Sequence, residues 1–465
     1  MFTNDAAKIS TPAMISPHVH AKGLKFRLFL FTGLFLIFYF SQPYHVFRTG
    51  GSEDYHVTAD PDIQIAAMQK GYAGRQICLT ILGAVGAAAL FRRKGDKLSV
   101  RGLHGGLIAF FPAWACLTVF WADDPVLTAK RLGVFILLGL GALAAAKYFT
   151  LREIAEFIFV SGAMAAASGL IAAIMTGTFH PFAREYRFGG LMHPNDQGIC
   201  CGLFLISAIA LADLSGGARK RHLYHAAALA ALLFLVLTRS RTAFAGTMIA
   251  VLVYGCLRMR GKMLIASAML AIIVLCVSYL LFGDDLFSGM QSAFLLGRTD
   301  HSIGTLNSRL PLWEECAAYF GRRPLLGYGY NAFWTARRYA DIGTDLGWGM
   351  GSAHNGYMDL ALGTGLVGAG AFVMVVLLAI ARSGALSIKK SKARNSSGHA
   401  FVCTALIFIS LVNLFESVVL LPNLATFALY LLLAKTGLAE GEGRAADGKH
   451  IGIRPSSTVN DAACR

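Results

Sequence analysis

The stretch GYMDLALGTGLVGAGAFVMVVLLAIA, residues 356–381, contains a single charged side chain, Asp359. About 20 residues of α-helix cross the roughly 30 Å hydrocarbon core of a bilayer, so this stretch is long and apolar enough to span a membrane. The segment before it, GMGSAHN at 349–355, is polar and rich in glycine. His354 and Asn355 therefore lie at the mouth of a predicted membrane helix.

Apolar stretches of this kind recur along almost the whole chain. Its 465 residues are 55% hydrophobic and 15% charged, with a mean hydropathy of +0.56, which is far from the composition of ordinary soluble domains. The sequence predicts an all-α polytopic membrane protein with about twelve transmembrane helices. The predicted spans are 27–43, 74–91, 102–121, 130–148, 153–176, 196–214, 222–238, 243–258, 262–282, 356–381, 400–415 and 417–435.

The net charge of +16 is explained by the loops rather than by nucleic acid binding. Every second connection is basic, with residues such as Arg93, Arg152, Arg221, Arg260 and Lys390, as the positive-inside rule requires of cytoplasmic loops. Both termini are therefore predicted to be cytoplasmic. The predicted organisation is a cytoplasmic N-terminal tail (1–26), helices 1–9 (27–282), a large periplasmic loop with short helices (283–355), helices 10–12 (356–435) and a disordered cytoplasmic tail (436–465).

Two features of the outward connections need separate interpretation. Lys130 and Arg131 begin a predicted span on the outer side, where they either bind an anion or pair with Asp123 and Asp124. Within the large loop, 307–320 has the pattern of an amphipathic helix that lies on the membrane surface. Asn307 or Ser308 would cap it, and its apolar face would comprise Leu310, Trp313, Ala317 and Phe320.

Arginine is unusually frequent on the predicted outer face. Arg187 lies in a polar loop before helix six, Arg239 and Arg241 form a tight turn between helices seven and eight, and Arg309 lies in the large loop. Guanidinium groups are planar, bidentate donors to phosphate oxygens, although interfacial arginines also reach lipid phosphates without any further role. We expect Arg187, Arg239, Arg241 and Arg309 to recognise phosphate groups.

His354 and Asn355 have two interpretations each. Asn355 is either an N-cap or part of a site, and a lone histidine at a helix mouth is commonly a polar boundary residue. Next to several phosphate-binding arginines, however, His354 becomes a candidate proton acceptor. No acidic cluster with metal-ligand spacing occurs in the outer loops, since Asp284, Asp285, Asp341 and Asp345 lack suitably spaced partners. We expect no metal and no cofactor.

Several motifs, in this order, resemble the O-antigen ligase and polymerase family. They are RFGGLMHPN at 187–195, SRTA at 240–243, RLPLW at 309–313, LGYGYNAF at 326–333, HNGYM at 354–358 and GTGLVG at 363–368. The resemblance covers roughly 180–380. The family often has an acidic residue before the final glycines; here it is either shifted to Asp359 or replaced by Gly363 and Thr364, so no role for that carboxylate carries over.

The resemblance implies a membrane glycosyltransferase of GT-C-like architecture. Such an enzyme transfers a glycan from undecaprenyl diphosphate to a sugar hydroxyl, in a polysaccharide or in lipid A-core, at the periplasmic face of the bacterial inner membrane. Its partners would be the bilayer and other polysaccharide export proteins. The expected catalytic residues are His354, Arg241 and Arg187, and the expected supporting residues are Asn195, Asn355, Tyr357 and Trp313.

In the reaction that the resemblance implies, Arg187, Arg239, Arg241 and Arg309 would bind the diphosphate. Direct displacement of this stable leaving group by the acceptor hydroxyl would invert the anomeric centre. The rival function is a secondary transporter, whose polar groups would lie near the midplane, often between inverted repeats. Here the polar groups cluster at one face, which favours the enzyme. A scaffold without activity is the third alternative. Between ligase and polymerase, the sequence slightly favours a polymerase of a secreted polysaccharide.

Overall fold

The structure, a computed structural model, describes residues 17–42, 73–92, 102–183, 186–258, 304–346, 351–389 and 396–448. These residues form helices and connecting turns, and no strand occurs among them. In chain order the helices are α1 (Pro17–Ser41), α2 (Ala73–Phe91), α3 (Gly102–Leu117), α4 (Pro125–Tyr148), α5 (Leu151–Met175), α6 (Pro194–Leu214), α7 (Ala218–Leu237), α8 (Arg241–Arg258), α9 (Gly304–Arg322), α10 (Ala336–Leu346), α11 (Gly356–Lys389), α12 (Ser396–Asn413) and α13 (Leu424–Gly448).

Eight of the described helices are long and apolar enough to cross a membrane. They are α2, α3 with its 3-10 extension to Phe120, α4, α5, α6, α7, α11 and α12. The all-α polytopic membrane class is thereby confirmed. Helices α1 and α8 and the shorter apolar stretch Leu424–Leu438 occupy three more predicted spans, and the predicted span 262–282 lies outside the described residues. The number twelve stays a prediction.

Helix α6 lies at the centre of the membrane domain. Of its 18-residue apolar window, 89% is buried, whereas the corresponding figure for α7 is 17%. Small residues let neighbours approach closely, as expected where helices associate in lipid: Gly198 faces Ser240 and Ala243, and Gly202 faces Phe408 and Thr247. Helix α6 thus packs against α5, α7, α8 and α12. Its N-terminus places His193, Asn195 and Asp196 together at one end of the bundle.

Helix starts follow local capping chemistry. The Asp124 carboxylate accepts a hydrogen bond from the Leu127 amide at 2.9 Å, and Pro125 is the first residue of α4. Thr150 and Glu153 form a capping box at α5. At α6, the His193 Nδ1 accepts from the Asn195 amide at 3.3 Å, ahead of Pro194. The predicted starts of these spans are therefore a few residues late.

Pairing of Lys130 and Arg131 with Asp123 and Asp124 is found only as an electrostatic interaction between Arg131 and Asp124; among the described residues no ion pair joins them. The Asp124 side chain caps α4, and Asp123 pairs with two loop arginines instead. The Arg131 guanidinium donates to the backbone carbonyl of Asn331, and its distance to the Asn331 Oδ1 is 3.3 Å. Arg131 therefore anchors the large loop to α4, a contact that sequence spacing could not predict.

Helix α11 is interrupted inside the membrane domain at Gly365, where φ is +67° and ψ is −176°. This conformation is essentially restricted to glycine. Loop residues enter the break: the Tyr328 and Gly329 amides donate to the carbonyls of Leu362 and Gly363 at 2.8 and 2.9 Å, and the Leu366 amide donates to the Pro324 carbonyl at 2.7 Å. The two glycine motifs at 326–333 and 363–368 therefore form one contact.

The amphipathic helix of the large loop forms, but its start and its buried face differ from the prediction. Helix α9 begins at Gly304, so Asn307 and Ser308 do not cap it. Leu310 is exposed, whereas Leu312 and Cys316 are fully buried and Trp313 and Phe320 are partly buried. This face packs against α11 and the loop itself, because Leu362 and Phe333 belong to the same cluster.

Two further helix ends depart from the predicted boundaries. Helix α13 continues to Gly448, whereas the sequence predicted disorder after Lys435; residues 436–448 lack proline and contain several good helix formers. Between α12 and α13, residues 414–423 form a longer connection than the single residue left between the predicted spans. That connection carries Glu416.

Candidate active site

The N-termini of α6, α11 and α13 and the C-terminus of α12 lie at one end of the bundle, around the carboxylate of Glu416. Its Oε1 accepts a hydrogen bond from Asn195 Nδ2 at 2.8 Å and lies 3.6 Å from Arg309 Nη2. Its Oε2 lies 3.5 Å from His354 Nδ1. The Glu416 side chain is only 14% exposed. A largely enclosed carboxylate thus joins three of the residues that the sequence selected from three separate motifs.

His354 is held in an unusual backbone conformation. Its φ is +46°, in the left-handed region that residues with a Cβ rarely adopt. The imidazole is 34% exposed, and its Nδ1 faces Glu416. A carboxylate at Nδ1 favours the tautomer with the proton on Nδ1, which leaves Nε2 as the basic nitrogen. The ring is therefore oriented as a general base requires.

The Asp359 side chain holds the backbone next to both His354 and Glu416. The carboxylate is buried and accepts hydrogen bonds from Trp334 Nε1 at 2.7 Å and from the Ala353 amide at 3.0 Å. It also accepts a hydrogen bond from the Ser417 hydroxyl. Ala353 precedes His354 and Ser417 follows Glu416, so one buried side chain sets the relative position of the imidazole and the carboxylate.

Arg187 reaches the cluster through Asn195. Its Nη2 donates to Asn195 Oδ1 at 2.7 Å, while its Nε donates to the Thr238 carbonyl at 3.3 Å. Phe188 is fully buried, and its amide donates to the Leu237 carbonyl at 2.8 Å. The polar loop before α6 is thereby fastened to the end of α7. Glu185, two residues before Arg187, lies outside the described residues.

Arg309 is brought to the cluster by α9. Besides its contact with Glu416, its Nη1 donates to the Phe415 carbonyl at 2.6 Å. The side chain is 20% exposed. The cluster thus contains two arginines, Arg187 and Arg309, together with Glu416 and His354.

Arg239 and Arg241 lie at the turn between α7 and α8. Arg239 has a φ of +49°, and its Nη2 donates to the Ala183 carbonyl at 3.3 Å. Arg241 is the first residue of α8 and is partly buried. Thr238, whose carbonyl binds Arg187, belongs to the same turn. Arg187 thus connects this turn to the cluster. Among the described residues, Glu416 is in contact with Asn195, Arg309 and His354, and the turn reaches it through Arg187 and Asn195.

The supporting residues have structural roles that are visible in the structure. Asn355 Oδ1 accepts from the amides of Tyr357 and Met358 at 3.0 and 3.1 Å, so Asn355 caps α11. The Tyr357 hydroxyl donates to the Ser410 carbonyl at 3.3 Å and joins α11 to α12. Trp313 Nε1 donates to the Ala353 carbonyl at 2.8 Å. Ala353 is therefore held at both its amide and its carbonyl.

Glu416 was missed by the sequence interpretation, although the sequence holds a signal for it. It is the one charged residue between Ala400 and Ala434, at the junction of two apolar stretches. A charged residue in such a position is a functional candidate by default. It escaped notice because it belongs to none of the motifs that carried the resemblance.

A second set of contacts fastens the large loop to the membrane domain. The Asp123 carboxylate binds Arg323 Nη1 at 2.6 Å and also binds Arg338. The Arg338 guanidinium lies over the rings of Tyr328 and Phe333, 4.3 and 4.7 Å from their centroids. Burial raises the pKa of Tyr328, with Arg338 and Arg323 acting in the opposite direction. These loop arginines thus serve as anchors.

An apolar groove begins next to His354 and runs along α11 and α12. Its volume is about 640 Å³. Asn355 and Tyr357 line its outer end, and the remaining lining is mostly aliphatic: Val373, Val376, Leu377, Ile380, Ile407 and Leu411. The groove is open on one side, and Leu377 is 55% exposed. A hydrocarbon chain fits this shape and chemistry.

In the part of the chain that the structure describes, no group of three or more histidine, cysteine, aspartate or glutamate side chains is placed to hold a metal ion. The expectation that the reaction needs no metal stays a prediction. The described cysteines are all free thiols; Cys200, Cys201, Cys316 and Cys403 are buried, whereas Cys116 is exposed.

Comparison with known proteins gives two matches. Residues 226–373 match the family model described as O-Antigen ligase. The chain is also 25% identical over 292 residues to the exopolysaccharide production protein ExoQ of Rhizobium meliloti (strain 1021). The resemblance to the O-antigen ligase and polymerase family is confirmed. The matched family region includes Arg239, Arg241, Arg309 and His354 and ends before Glu416.

The similarity to ExoQ covers 58% of this chain and 63% of the relative. The chain thus spans less than two thirds of the length of the relative it matches. What the relative's name states, a part in exopolysaccharide production, is a property of that protein. Neither match therefore establishes the activity or the substrates of the present chain.

Proposed function

We propose that the protein transfers a glycan from undecaprenyl diphosphate to a sugar hydroxyl at the periplasmic face of the bacterial inner membrane. The observation that carries this proposal is the convergence of Arg309, His354 and, through Asn195, Arg187 on Glu416. Cations for a diphosphate and an oriented imidazole lie together at one end of the helices. A transporter site, by contrast, would lie near the midplane.

The reaction has a simple assignment of roles. The acceptor oxygen attacks the anomeric carbon, and its proton passes to His354 Nε2. The bond between that carbon and the diphosphate breaks, and the diphosphate leaves with the electron pair. Arg187 and Arg309, assisted by Arg239 and Arg241 at the neighbouring turn, stabilise the negative charge of the leaving group. A single displacement of this kind inverts the anomeric centre and requires no metal.

The apolar groove supports a lipid-linked donor. It begins at Asn355 and Tyr357, directly after His354, and continues along α11 and α12. A diphosphate bound at the cluster would leave its polyprenyl chain at the mouth of this groove. The groove is open toward the side, so a chain can enter from the bilayer. The polar subsite for the diphosphate and the apolar subsite for the polyprenyl chain thus adjoin each other.

Polymerase is the favoured form of this activity, and ligase is the second candidate. The relative named for exopolysaccharide production favours a polymerase of a secreted polysaccharide, whereas the matched family model is named for the ligase. The two are separated in a strain that lacks the protein. Loss of long chains with short units retained indicates a polymerase, and intact but unattached polymer indicates a ligase.

The direct test uses purified protein in proteoliposomes that contain lipid-linked glycan from the source organism. The wild-type protein should form new glycosidic bonds. His354→Ala should lower the rate about 10²- to 10⁴-fold, the usual effect of losing a general base, and should retain donor binding because the arginines hold the diphosphate. His180→Ala is the matched control, because His180 is an exposed histidine of an outer connection.

Four results would contradict the proposal in different ways. Movement of glycan across the membrane without a new bond would indicate a transporter, and no conversion by the folded wild-type protein would indicate a scaffold. Nearly full activity of His354→Ala would exclude His354 as the base. Loss of donor binding together with turnover in His354→Ala would place His354 in the diphosphate site instead.

A further inference from the structure

A second cavity lies at the ends of α1, α2, α6 and α13, beside the Glu416 cluster. None of the residues that line it has a role in the transfer reaction proposed above. Its volume is about 230 Å³. It shares no lining residue with the apolar groove. Its polar lining consists of Gln42, Arg75, His193, Asp196 and Asn423. Met192, Ile199 and Leu421 contribute apolar surface.

The Asp196 carboxylate is the distinctive group of this cavity. Asp196 is partly buried in the first turn of α6, and among the described residues its side chain accepts no hydrogen bond and forms no ion pair. The other described carboxylates at this end, Glu416, Asp359, Asp123 and Asp124, each accept a hydrogen bond or form an ion pair. A largely enclosed carboxylate normally has donors, so this one is suited to receive them from a ligand.

The cavity lies beside the candidate active site. Asp196 follows Asn195, whose Nδ2 donates to Glu416. The carboxylates of Asp196 and Glu416 are close enough to repel each other electrostatically. On the other wall, Leu421 belongs to the same connection as Glu416. A ligand in the cavity therefore lies next to the carboxylate that holds His354.

The chemistry of the lining selects a neutral polar ligand. One carboxylate and one guanidinium balance in charge, and the nearby Glu416 further disfavours an anion such as a diphosphate. Asn423 Oδ1 accepts from the Thr426 amide at 3.0 Å, which leaves its Nδ2 as a donor. Hydroxyl groups can donate to Asp196 and accept from Asn423 or Arg75, while a C–H face packs on Met192 and Ile199.

The size of the cavity restricts the ligand further. Sites for drug-sized ligands have volumes of about 300–1,000 Å³, so a cavity of 230 Å³ is suited to one sugar ring rather than an oligosaccharide. We propose that this cavity binds the terminal sugar of the acceptor glycan, with Asp196 as the residue that accepts hydrogen bonds from its hydroxyls. This inference rests on the proposed glycan transfer, and it assigns the second substrate to its own subsite.

The test measures sugar binding separately from donor binding. The probe is the glycan released by mild acid from the lipid-linked repeat unit, which has lost both the lipid and the diphosphate. Its affinity for the full-length purified protein is measured for the wild type, Asp196→Asn and Leu421→Trp. Leu421 is 50% exposed, so tryptophan there adds volume at the rim of the cavity without entering the core. Asp341→Asn, a change of an exposed acid on α10, is the control.

We expect Asp196→Asn to weaken binding of the released glycan about 10- to 100-fold, the loss of roughly one to two hydrogen bonds to a charged acceptor. Leu421→Trp should abolish this binding, and Asp341→Asn should leave it unchanged. Glycan-free undecaprenyl diphosphate should bind all four proteins equally, which shows that the variants are folded. Wild-type glycan affinity in either Asp196→Asn or Leu421→Trp would overturn the proposal.

The proposed function is judged by another result in the same preparations, namely turnover of the lipid-linked glycan by the wild type. If the wild type forms glycosidic bonds and either cavity variant binds the released glycan normally, the acceptor assignment fails alone. If the wild type forms no bonds, the proposed function fails regardless of the sugar affinities.

Discussion

At the scale of single residues, the candidate site depends on buried groups that fix a few exposed ones. His354 has a strained φ of +46°, and its neighbour Ala353 is bound by Asp359 at the amide and by Trp313 at the carbonyl. The sequence identified His354, Trp313 and the arginines by residue type and motif. It could not show that Asp359 connects Ala353 to Ser417, because these residues are distant in sequence and only folding brings them together.

The Asp359 contacts lead to the first prediction. Asp359→Leu should reduce the free energy of unfolding by about 3 kcal/mol or more, since it leaves the Trp334 indole, the Ala353 amide and the Ser417 hydroxyl without their buried acceptor. Thermal unfolding of the detergent-purified protein measures this effect. Asp341→Leu is the control, because Asp341 is exposed and pairs only with Arg337 on its own helix. Equal melting temperatures for the two variants would contradict a fixing role for Asp359.

At the scale of elements, the large loop and α11 form one unit through glycine. Gly327 has a φ of +69° and packs against the backbone of Leu362 and Gly363, while Leu325 lies against Gly365. The sequence showed both glycine motifs as separate parts of the family resemblance. Their contact was not predictable, because a break within an apolar helix leaves the hydrophobic pattern unchanged. The buried face of α9 was predicted only in part, because Leu312 and Cys316 are buried by packing with Phe333 and Leu362, which lie elsewhere in the chain.

The second prediction compares two glycines of α11. Gly365→Ala should destabilise the protein by several kcal/mol and strongly reduce the amount that folds, because a Cβ at a φ of +67° would overlap the Leu325 carbonyl. Gly370→Ala should be neutral or slightly stabilising, because a Cβ there meets no atom within 4 Å. Yield and melting temperature after size-exclusion chromatography report both effects. Similar behaviour of the two variants would argue against the break at Gly365.

At the scale of the whole molecule, hydropathy and charge predicted the class and most of the helices. Ends were less predictable, because caps such as Asp124 and His193 lie outside the apolar stretches. The sequence predicts the candidate site as a collection of residues at one face, since arginines in loops that are expected to face outward depart from the positive-inside rule. Its centre was predictable only as an isolated charge, because the contacts of Glu416 with Asn195, Arg309 and His354 are encoded by no local pattern.

The third prediction concerns the orientation of the chain in the membrane. In intact cells, Asp341→Cys should react with a small membrane-impermeant thiol reagent, whereas Lys389→Cys should react only after permeabilisation. Both positions are exposed, on α10 and at the end of α11. The parent protein serves as the control for its native cysteines. Equal labelling of both positions in intact cells would show that the proposed periplasmic placement of the site is wrong.

The central claim is that Glu416 acts on glycan transfer by holding His354, and a double-mutant cycle tests it most directly. Single-turnover rates are measured for the wild type, Glu416→Gln, His354→Ala and the double variant. Saturating lipid-linked donor is used, because Glu416 also contacts Arg309 and its loss could change donor affinity. Because residues that act as a unit are non-additive, Glu416→Gln should slow the wild type about 10- to 100-fold but change the His354→Ala rate less than about threefold. The same fold loss in both backgrounds would contradict the claim.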